Sequence, residues 1–516
     1  MASAKTSPLS FPLFLTLAIL FLQPPVSSIV IEEATVQDLQ HAFKNKSLTS
    51  KQLVEYYRDN IFIQAPLLKS VIEVNPDAMF QADAADRERE ALAPGLSLGD
   101  LHGIPILLKD NIATKDKMNT TAGSLALVRS VVPRDAGVVS KLRRAGAIIL
   151  GKASLTEWAG FRGKSMPHGW CARTGQGKNP YNTKGDTCGS SSGSAISAAA
   201  NLAAVTLGTE TDGSILCPSS NQAVVGFKPT VGLTSRAGVI PITPRQDSVG
   251  PICRTVADAV YVLDAIVGKD SNDDVTIEAS KYIPTGGYKQ FLKIDGLKGK
   301  RLGLLKDLFF SFGDDTYLAE AFERHFSTLR QRGAVLVEDL DASKFLEAYD
   351  GIQEYEILAM TAEFKVAINS YLQNLVVSSV RSLKDIIEFN NKNSKLEKTW
   401  EYGQERFLEA EATNGIGNKE KEAIQELAKR SRDGLEKLMT ENKLDALLAP
   451  FDSAAFILAT GQYPGIIVPA GYDQEGPFGL CFGGLKGSEP TLIEIAYDFE
   501  QATKIRKPPL FSRSSY

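Results

Sequence analysis

Two parts of this chain have residue types and spacing suited to nucleophilic chemistry. The first is the hydroxyl-rich stretch 187–218, TCGSSSGSAISAAANLAAVTLGTETDGSILCP. It opens on Gly189, Ser190, Ser191, Ser192, Gly193 and Ser194, then runs through alanine-rich text without Pro or Gly over 195–204. It closes on the polar turn Gly208-Thr-Glu-Thr-Asp-Gly-Ser214. Residues this small let backbone amides approach a ligand closely. Two such loops joined by one helix can bring a hydroxyl from each end to a single site, although the same text also reads as turns and helix caps. The second part is Lys109, which ends the apolar run 104–108. That run reads as a strand buried on both faces, with Pro105 tolerable near its start. Lysines at strand ends are ordinarily solvated. This one has little solvent on the strand side and Asp110 and Asn111 for polar company. A lysine held out of water gives up its proton more easily and becomes a usable general base.

A serine needs such a base, and histidine is the usual one. Gly189-Ser-Ser191-Ser-Gly193 fits the G-x-S-x-G nucleophile elbow, in which the partner histidine follows the serine. Of His41, His102, His168 and His325 only the last does so, within AEAFERHF, which reads as the interior of a surface helix. A Ser-His-Asp mechanism therefore lacks its base, and a serine activated by lysine fits better.

The elements that must position these groups alternate along the chain. Helices are expected over 35–44, 50–60 and 77–93, the second opened by the capping-box pattern Thr49 to Gln52. The strand at 104–108 follows, then an αβ step over 136–150 and a further helix beginning over 154–161. After the hydroxyl-rich stretch come short strands and turns over 223–227, 232–234 and 238–242, and a helix over 255–267. The second half has strands at 301–305, 334–337, 444–449, 465–469 and 478–482, helices at 316–332 and 491–502, and a mostly helical stretch over 343–440. Such alternation predicts an α/β fold: a single large domain over 29–516, its mixed sheet covered by helices on both faces, with a helical insertion at about 343–440.

Composition sets the remaining bounds. At 516 residues, 43% hydrophobic and 23% charged, the chain is an ordinary globular body, and a net charge of −4 gives no electrostatic argument for nucleic acid or an anionic membrane as partner. The first residues differ: Lys5 precedes an apolar block at 11–22 and then QPPVSS. That block is shorter than the roughly 20 residues a spanning helix needs. It reads as a secretory signal over about 1–28, with an uncleaved anchor as the alternative. The expected location is the secretory pathway or outside the cell, without stable membrane insertion after cleavage. Asn45-Lys-Ser47 and Asn119-Thr-Thr121 fit the N-glycosylation sequon. Cys171, Cys188, Cys217, Cys253 and Cys481 form neither a disulfide scaffold nor a metal site. One bridge is allowed, with buried free thiols expected for most.

Taken together, GIPILLKDN around Lys109, GSSSGSA, GTETDGSI and GFKPTVGLTSRAGVIP, followed by IIVPAG and PFGLCFGG, resemble the amidase signature family in an ordered set that covers nearly the whole mature chain. The variant TETDGSI is similar to the branch that contains bacterial peptide amidases. The resemblance implies a Ser-cisSer-Lys triad: Ser214 as nucleophile, Ser190 as proton relay and a neutral Lys109 as base. Backbone N–H groups of Thr211, Asp212, Gly213 and Ser214 would form the oxyanion hole, and Ser191 would either brace the loop or take part directly. It implies hydrolysis of a small-molecule or peptide amide, with no metal and no organic cofactor. Many members of the family have Gly-Gly-Ser followed by Ile-Arg. This chain has Asp212-Gly-Ser214 followed by Ile215 and Leu216, which leaves Glu210 without the arginine expected to pair with it, so the loop must be braced otherwise. Two other readings remain open on the sequence: the amide-cleaving component of a transamidase, which needs a partner, and a catalytically silent binding protein on the same scaffold.

Overall fold

A computed structural model describes residues 29–93, 96 and 98–510; the leader expected at 1–28 lies outside the described residues. An eleven-stranded mixed sheet runs through the molecule. Its strands in chain order are β1 (Val71–Val74), β2 (Pro105–Lys109), β3 (Ile148–Ala153), β4 (Val205–Glu210), β5 (Val225–Lys228), β6 (Ser248–Cys253), β7 (Arg301–Gly303), β8 (Val335–Val337), β9 (Ala446–Pro450), β10 (Gly465–Tyr472) and β11 (Pro477–Gly483). Across the sheet the order is β1-β3-β2-β4-β6-β5-β10-β11-β9-β7-β8. Strands β3, β2 and β4 run parallel. The centre from β4 to β9 is antiparallel, and β9, β7 and β8 are parallel again. This is the mixed, helix-covered α/β architecture that the alternation predicts. No described helix is long and apolar enough to cross a membrane.

Local chemistry explains most of the helix boundaries. The helix Ser50–Leu68 is opened by Thr49, whose hydroxyl accepts from the Gln52 amide at 3.1 Å while the Gln52 side chain accepts from the Thr49 amide at 2.9 Å. It runs beyond the expected end at 60 and carries Pro66 inside it. No helix forms over 154–161. Only a short 3-10 turn at Glu157–Gly160 is present, because the amides a helix would need are already used: Thr156 N–H donates to Ser190 O and Trp158 N–H to Ala122 O. Strand β6, absent from the sequence reading, lies between β4 and β5. Its text, Ser-Val-Gly-Pro-Ile-Cys, is the kind that hides a strand, since Gly250 and Pro251 argue against a central one.

His325 lies within the amphipathic helix Thr316–Gln331, as expected, on its inward side. It is buried, its Nε2 is 2.6 Å from the Ala470 carbonyl oxygen, and it packs between Phe322 and Phe499. It is a core histidine, held below its ordinary pKa by burial.

The stretch 343–440 is largely helical, led by Ile352–Gln373 and Asn418–Ser431. A buried ion group fastens it to the sheet side. Arg162, with no exposed side-chain surface, meets Glu157 Oε1 at 2.5 Å and Glu397 Oε2 at 3.4 Å and donates from Nε to Gly403 O at 3.1 Å. Glu397 Oε1 in turn accepts from the Leu125 amide at 3.0 Å and the Ser124 hydroxyl at 3.2 Å. Burial first, and then the Glu397 charge, pushes the Glu157 carboxyl well above the ordinary range, so this pair of carboxylates depends on the one guanidinium. Arg162→Ala is expected to cost about 3–5 kcal/mol, because it leaves buried charge uncompensated. Chemical denaturation measures this, and a loss of less than about 1 kcal/mol would contradict that role.

Candidate active site

Lys109 is the last residue of β2 and Glu210 the last of the neighbouring parallel strand β4. The site therefore lies outside the carboxyl ends of parallel strands, where α/β sheets place ligands. The Lys109 side chain is fully buried. Its Nζ is 2.7 Å from Ser190 Oγ, 3.0 Å from Ser191 Oγ and 3.0 Å from Thr209 O. Burial lowers its pKa to about 7, with the Glu210 and Asp247 charges pulling the other way.

A neutral amine has two N–H donors and one lone pair, and the three neighbours can be allotted among them. Thr209 O can only accept, so it takes one N–H. Ser191 donates its own hydroxyl proton to Thr209 O at 3.0 Å, so it accepts the second N–H. The lone pair is left for the Ser190 hydroxyl proton at 2.7 Å. With the amine neutral, this allotment would make Ser191 a bracing hydroxyl and leave the Ser190 hydroxyl as the one to give up a proton.

The loop carrying Ser190 is fixed from several sides. Its Gly189–Ser190 peptide is cis. Ser190 O accepts from the Thr156 amide at 3.0 Å, and the Gly193 amide donates to Ser154 O at 3.1 Å. Two links tie the loop to the turn that bears Ser214. The Ser191 amide donates to Ser214 O at 3.1 Å, and Cys188 and Cys217 form a disulfide. Cys171, Cys253 and Cys481 are free and buried. Ser190 and Ser214 are 3% and 8% exposed, while Lys109 is 0% exposed. Gly208 lets Ser191 reach this position: a Cβ there would sit 2.8 Å from both Ser191 Oγ and Ile252 Cδ1. Gly208→Ala should displace Ser191 and lower kcat roughly 10²-fold. Steady-state kinetics checks this, and an unchanged kcat would contradict the placement.

The turn at 211–214 lacks an arginine at 216 and is braced instead by Glu210 itself. Glu210 Oε2 accepts from the Ile215 and Leu216 amides at 2.6 and 3.0 Å. Cys217 N–H donates to Gly213 O at 2.8 Å. The amides of Thr211, Asp212 and Ser214 donate none of the hydrogen bonds that brace this turn, whereas the Gly213 amide, expected among the oxyanion donors, is directed at Glu210. Gly213 takes a φ of +72°, which disfavours a side chain there. The Thr211 hydroxyl donates to Asp247 Oδ1 at 2.6 Å, and Gln246 Nε2 donates to Thr211 O at 3.3 Å and to Glu356 Oε1 at 2.7 Å.

Asp212 is exposed, although protein crowds its carboxyl. Loss of bulk water, followed by the Glu356, Glu210 and Asp452 charges, holds its carboxyl well above the ordinary range. Glu356, Gln246 and Asp452 are neighbours that the sequence did not reveal. Glu356 sits in the helix Ile352–Gln373, where one more glutamate reads as a solvated face.

Comparison with known proteins supplies the family. The amidase family model matches residues 52–465. A probable amidase of Arabidopsis thaliana is 57% identical over 94% of this chain and 93% of its own. The A-type component of the glutamyl-tRNA(Gln) amidotransferase of Thermosynechococcus vestitus is 32% identical over 91% of this chain and 98% of its own. The crystal structure of a native peptide amidase from Stenotrophomonas maltophilia superposes with a TM-score of 0.84 at 41% identity, covering 93% of this chain and 99% of that one. The chain belongs to the amidase (amidase signature) family and is an amide-hydrolysing enzyme.

Proposed function

We propose that the enzyme cleaves a small or peptide carboxamide through a covalent intermediate on Ser214. Ser214 Oγ bonds to the amide carbon as its proton passes to Ser190 Oγ and the Ser190 proton passes to Lys109 Nζ. The C–N bond then breaks, and the proton returns through Ser190 to the leaving nitrogen, which departs as ammonia or an amine. Water, deprotonated by the same relay, attacks the acyl group and releases the carboxylate and Ser214. The amides of Thr211, Asp212 and Ser214 stabilise the oxyanion, each donor worth about 3 kcal/mol. The observation that carries this reading is the 2.7 Å contact between a fully buried lysine amine and Ser190, one residue from the backbone bond that joins the loop to Ser214.

The amine must be neutral to accept a proton. With Lys109 at about 7, kcat/KM should rise about tenfold per pH unit below that value and level off above it. A pH–rate profile on a non-ionising amide tests this, and a flat profile from pH 5 to 8 would reject a neutral Lys109. Peptide amides lead the substrate panel because a peptide amidase is among the similar solved structures. The likeness to the amidotransferase component is tested by glutaminase activity that appears only with an added partner.

The proposed location is the secretory pathway. The leader-like text at 1–28 supports it, as does a disulfide between Cys188 and Cys217, a bond favoured in oxidising compartments. Asn45 is exposed and is the proposed glycan acceptor; Asn119 is half-buried, with its amide nitrogen 3.2 Å from Glu73.

A further inference from the structure

Lys228 is a buried cation that the proton relay leaves unused. It ends β5 with no exposed side-chain surface, and its Nζ donates to Tyr463 O at 2.6 Å and Pro229 O at 3.4 Å. Both partners are neutral carbonyls, and no carboxylate lies within ion-pair distance of it among the described residues. A buried ammonium without an ion pair is costly, so what it faces matters.

The sheet registers place it. Directly paired residues share a face, and side chains alternate along each strand. In β4, Gly208 and Glu210 lie on one face, which at Gly208 abuts Ser191. Pairing carries that face through Gly250 and Ile252 of β6 to Gly226 of β5. Two residues beyond Gly226, Lys228 emerges on the same side. The segment after Ser214 lies on this face: a Cβ at Gly226 would be 3.0 Å from Ile215 O, and one at Gly250 would be 3.1 Å from Ile215 Cδ1. Gly465, paired with Lys228, has Leu216 Cδ1 3.4 Å from its own Cβ position. Glu210 and Lys228 therefore flank Ile215 and Leu216 from two strands of one sheet face, and Glu210 receives both of their amides. Among the influences on the Glu210 carboxyl, burial raises its pKa most, and Lys228 is the largest opposing one. Burial lowers the Lys228 pKa to about 8, and Glu210 is the first of the charges that oppose this, ahead of Glu489.

We propose that Lys228 is a positioning residue. Its ammonium is the counter-charge that Leu216 does not supply to Glu210, and through Glu210 it holds the Ile215 and Leu216 amides that aim Ser214. A carboxylate accepts two amide hydrogen bonds about twice as strongly as a neutral carboxyl does. Loss of the counter-charge thus loosens the turn without touching substrate. This rests on Ser214 being the nucleophile.

The test uses the full enzyme and one amide substrate. Lys228→Met is expected to lower kcat about 10²-fold with KM within about threefold. Adding Leu216→Arg should return at least tenfold of the lost kcat, because it places a positive charge beside Glu210 again. A purely structural lysine predicts no rescue. Glu210→Gln should cost about as much as Lys228→Met, and the two together no more than either alone, since they break one interaction. An unchanged kcat in folded Lys228→Met, additive losses, or no rescue by Leu216→Arg overturns the proposal. Where Lys228→Met does not fold, a double variant that folds and turns over supports it, and one that is unfolded or inactive overturns it. Failure of wild-type Ser214 to react with a fluorophosphonate refutes the nucleophile itself, a result separate from any of these.

Discussion

Ser214→Ala should lower kcat by at least about 10⁴-fold while leaving the folded protein intact. The loss is large because every bond-making step falls to this one oxygen, and the other hydroxyl of the turn, Thr211, is already held by Asp247. Ser190 is not a substitute: its hydroxyl is committed to the Lys109 amine at 2.7 Å. Stability should hold, within about 0.5 kcal/mol, because Ser214 braces the turn through its backbone carbonyl, which alanine keeps. Its Oγ takes part in none of the hydrogen bonds that hold the loop. Single-turnover kinetics and thermal melting read the two halves of this result. Retention of a tenth of the activity would place the nucleophile elsewhere.

Lys109→Met is expected to cost about 10³–10⁴-fold in kcat, and Lys109→Arg should be no better. The arginine comparison separates two roles. If the site needed a positive charge at this position, a guanidinium would supply it. If it needs an amine that can be neutral, a guanidinium fails, because it does not lose its proton in proteins. Lys109 is the kind of residue that can be neutral, since burial holds its pKa at about 7. Methionine fills the same volume without a charge to desolvate. Thr209 O keeps the Ser191 hydroxyl as a partner, so melting should change little. An active Lys109→Arg enzyme would contradict the base assignment.

The legible part of the site was the part written in short range. An apolar run stopped by a lysine, and small hydroxyl residues at both ends of an alanine-rich segment, pointed to Lys109 and the serine loops before any fold was known. The resemblance implies which serines to choose. The structure adds what strand order alone can bring together. Thr209 supplies a carbonyl to Lys109 because β2 and β4 are parallel neighbours. Glu356 is 110 residues from Gln246 yet bonded to it, and nothing local in a charged helix marks such a partner. Strand β6 was hidden by Gly250 and Pro251, although Gly250 is what lets Ile215 settle on the sheet. The helix expected at 154–161 failed for a related reason: propensity cannot see that the Thr156 and Trp158 amides are claimed by distant loops. The bracing of Glu210 by amides answers the question left by Leu216, and the lysine that completes it sits on another strand.

The central claim is that a neutral Lys109 activates Ser214 through Ser190, and the most direct measurement is the site and rate of covalent capture. The enzyme is treated with a fluorophosphonate over a pH series, and the adduct is located by peptide mass spectrometry. The account predicts a single adduct on Ser214, with a rate that rises through about pH 7 and is lost in Lys109→Met and Lys109→Arg. An adduct on Ser190 or Ser191, or a Ser214 adduct whose rate ignores both pH and Lys109, would contradict it.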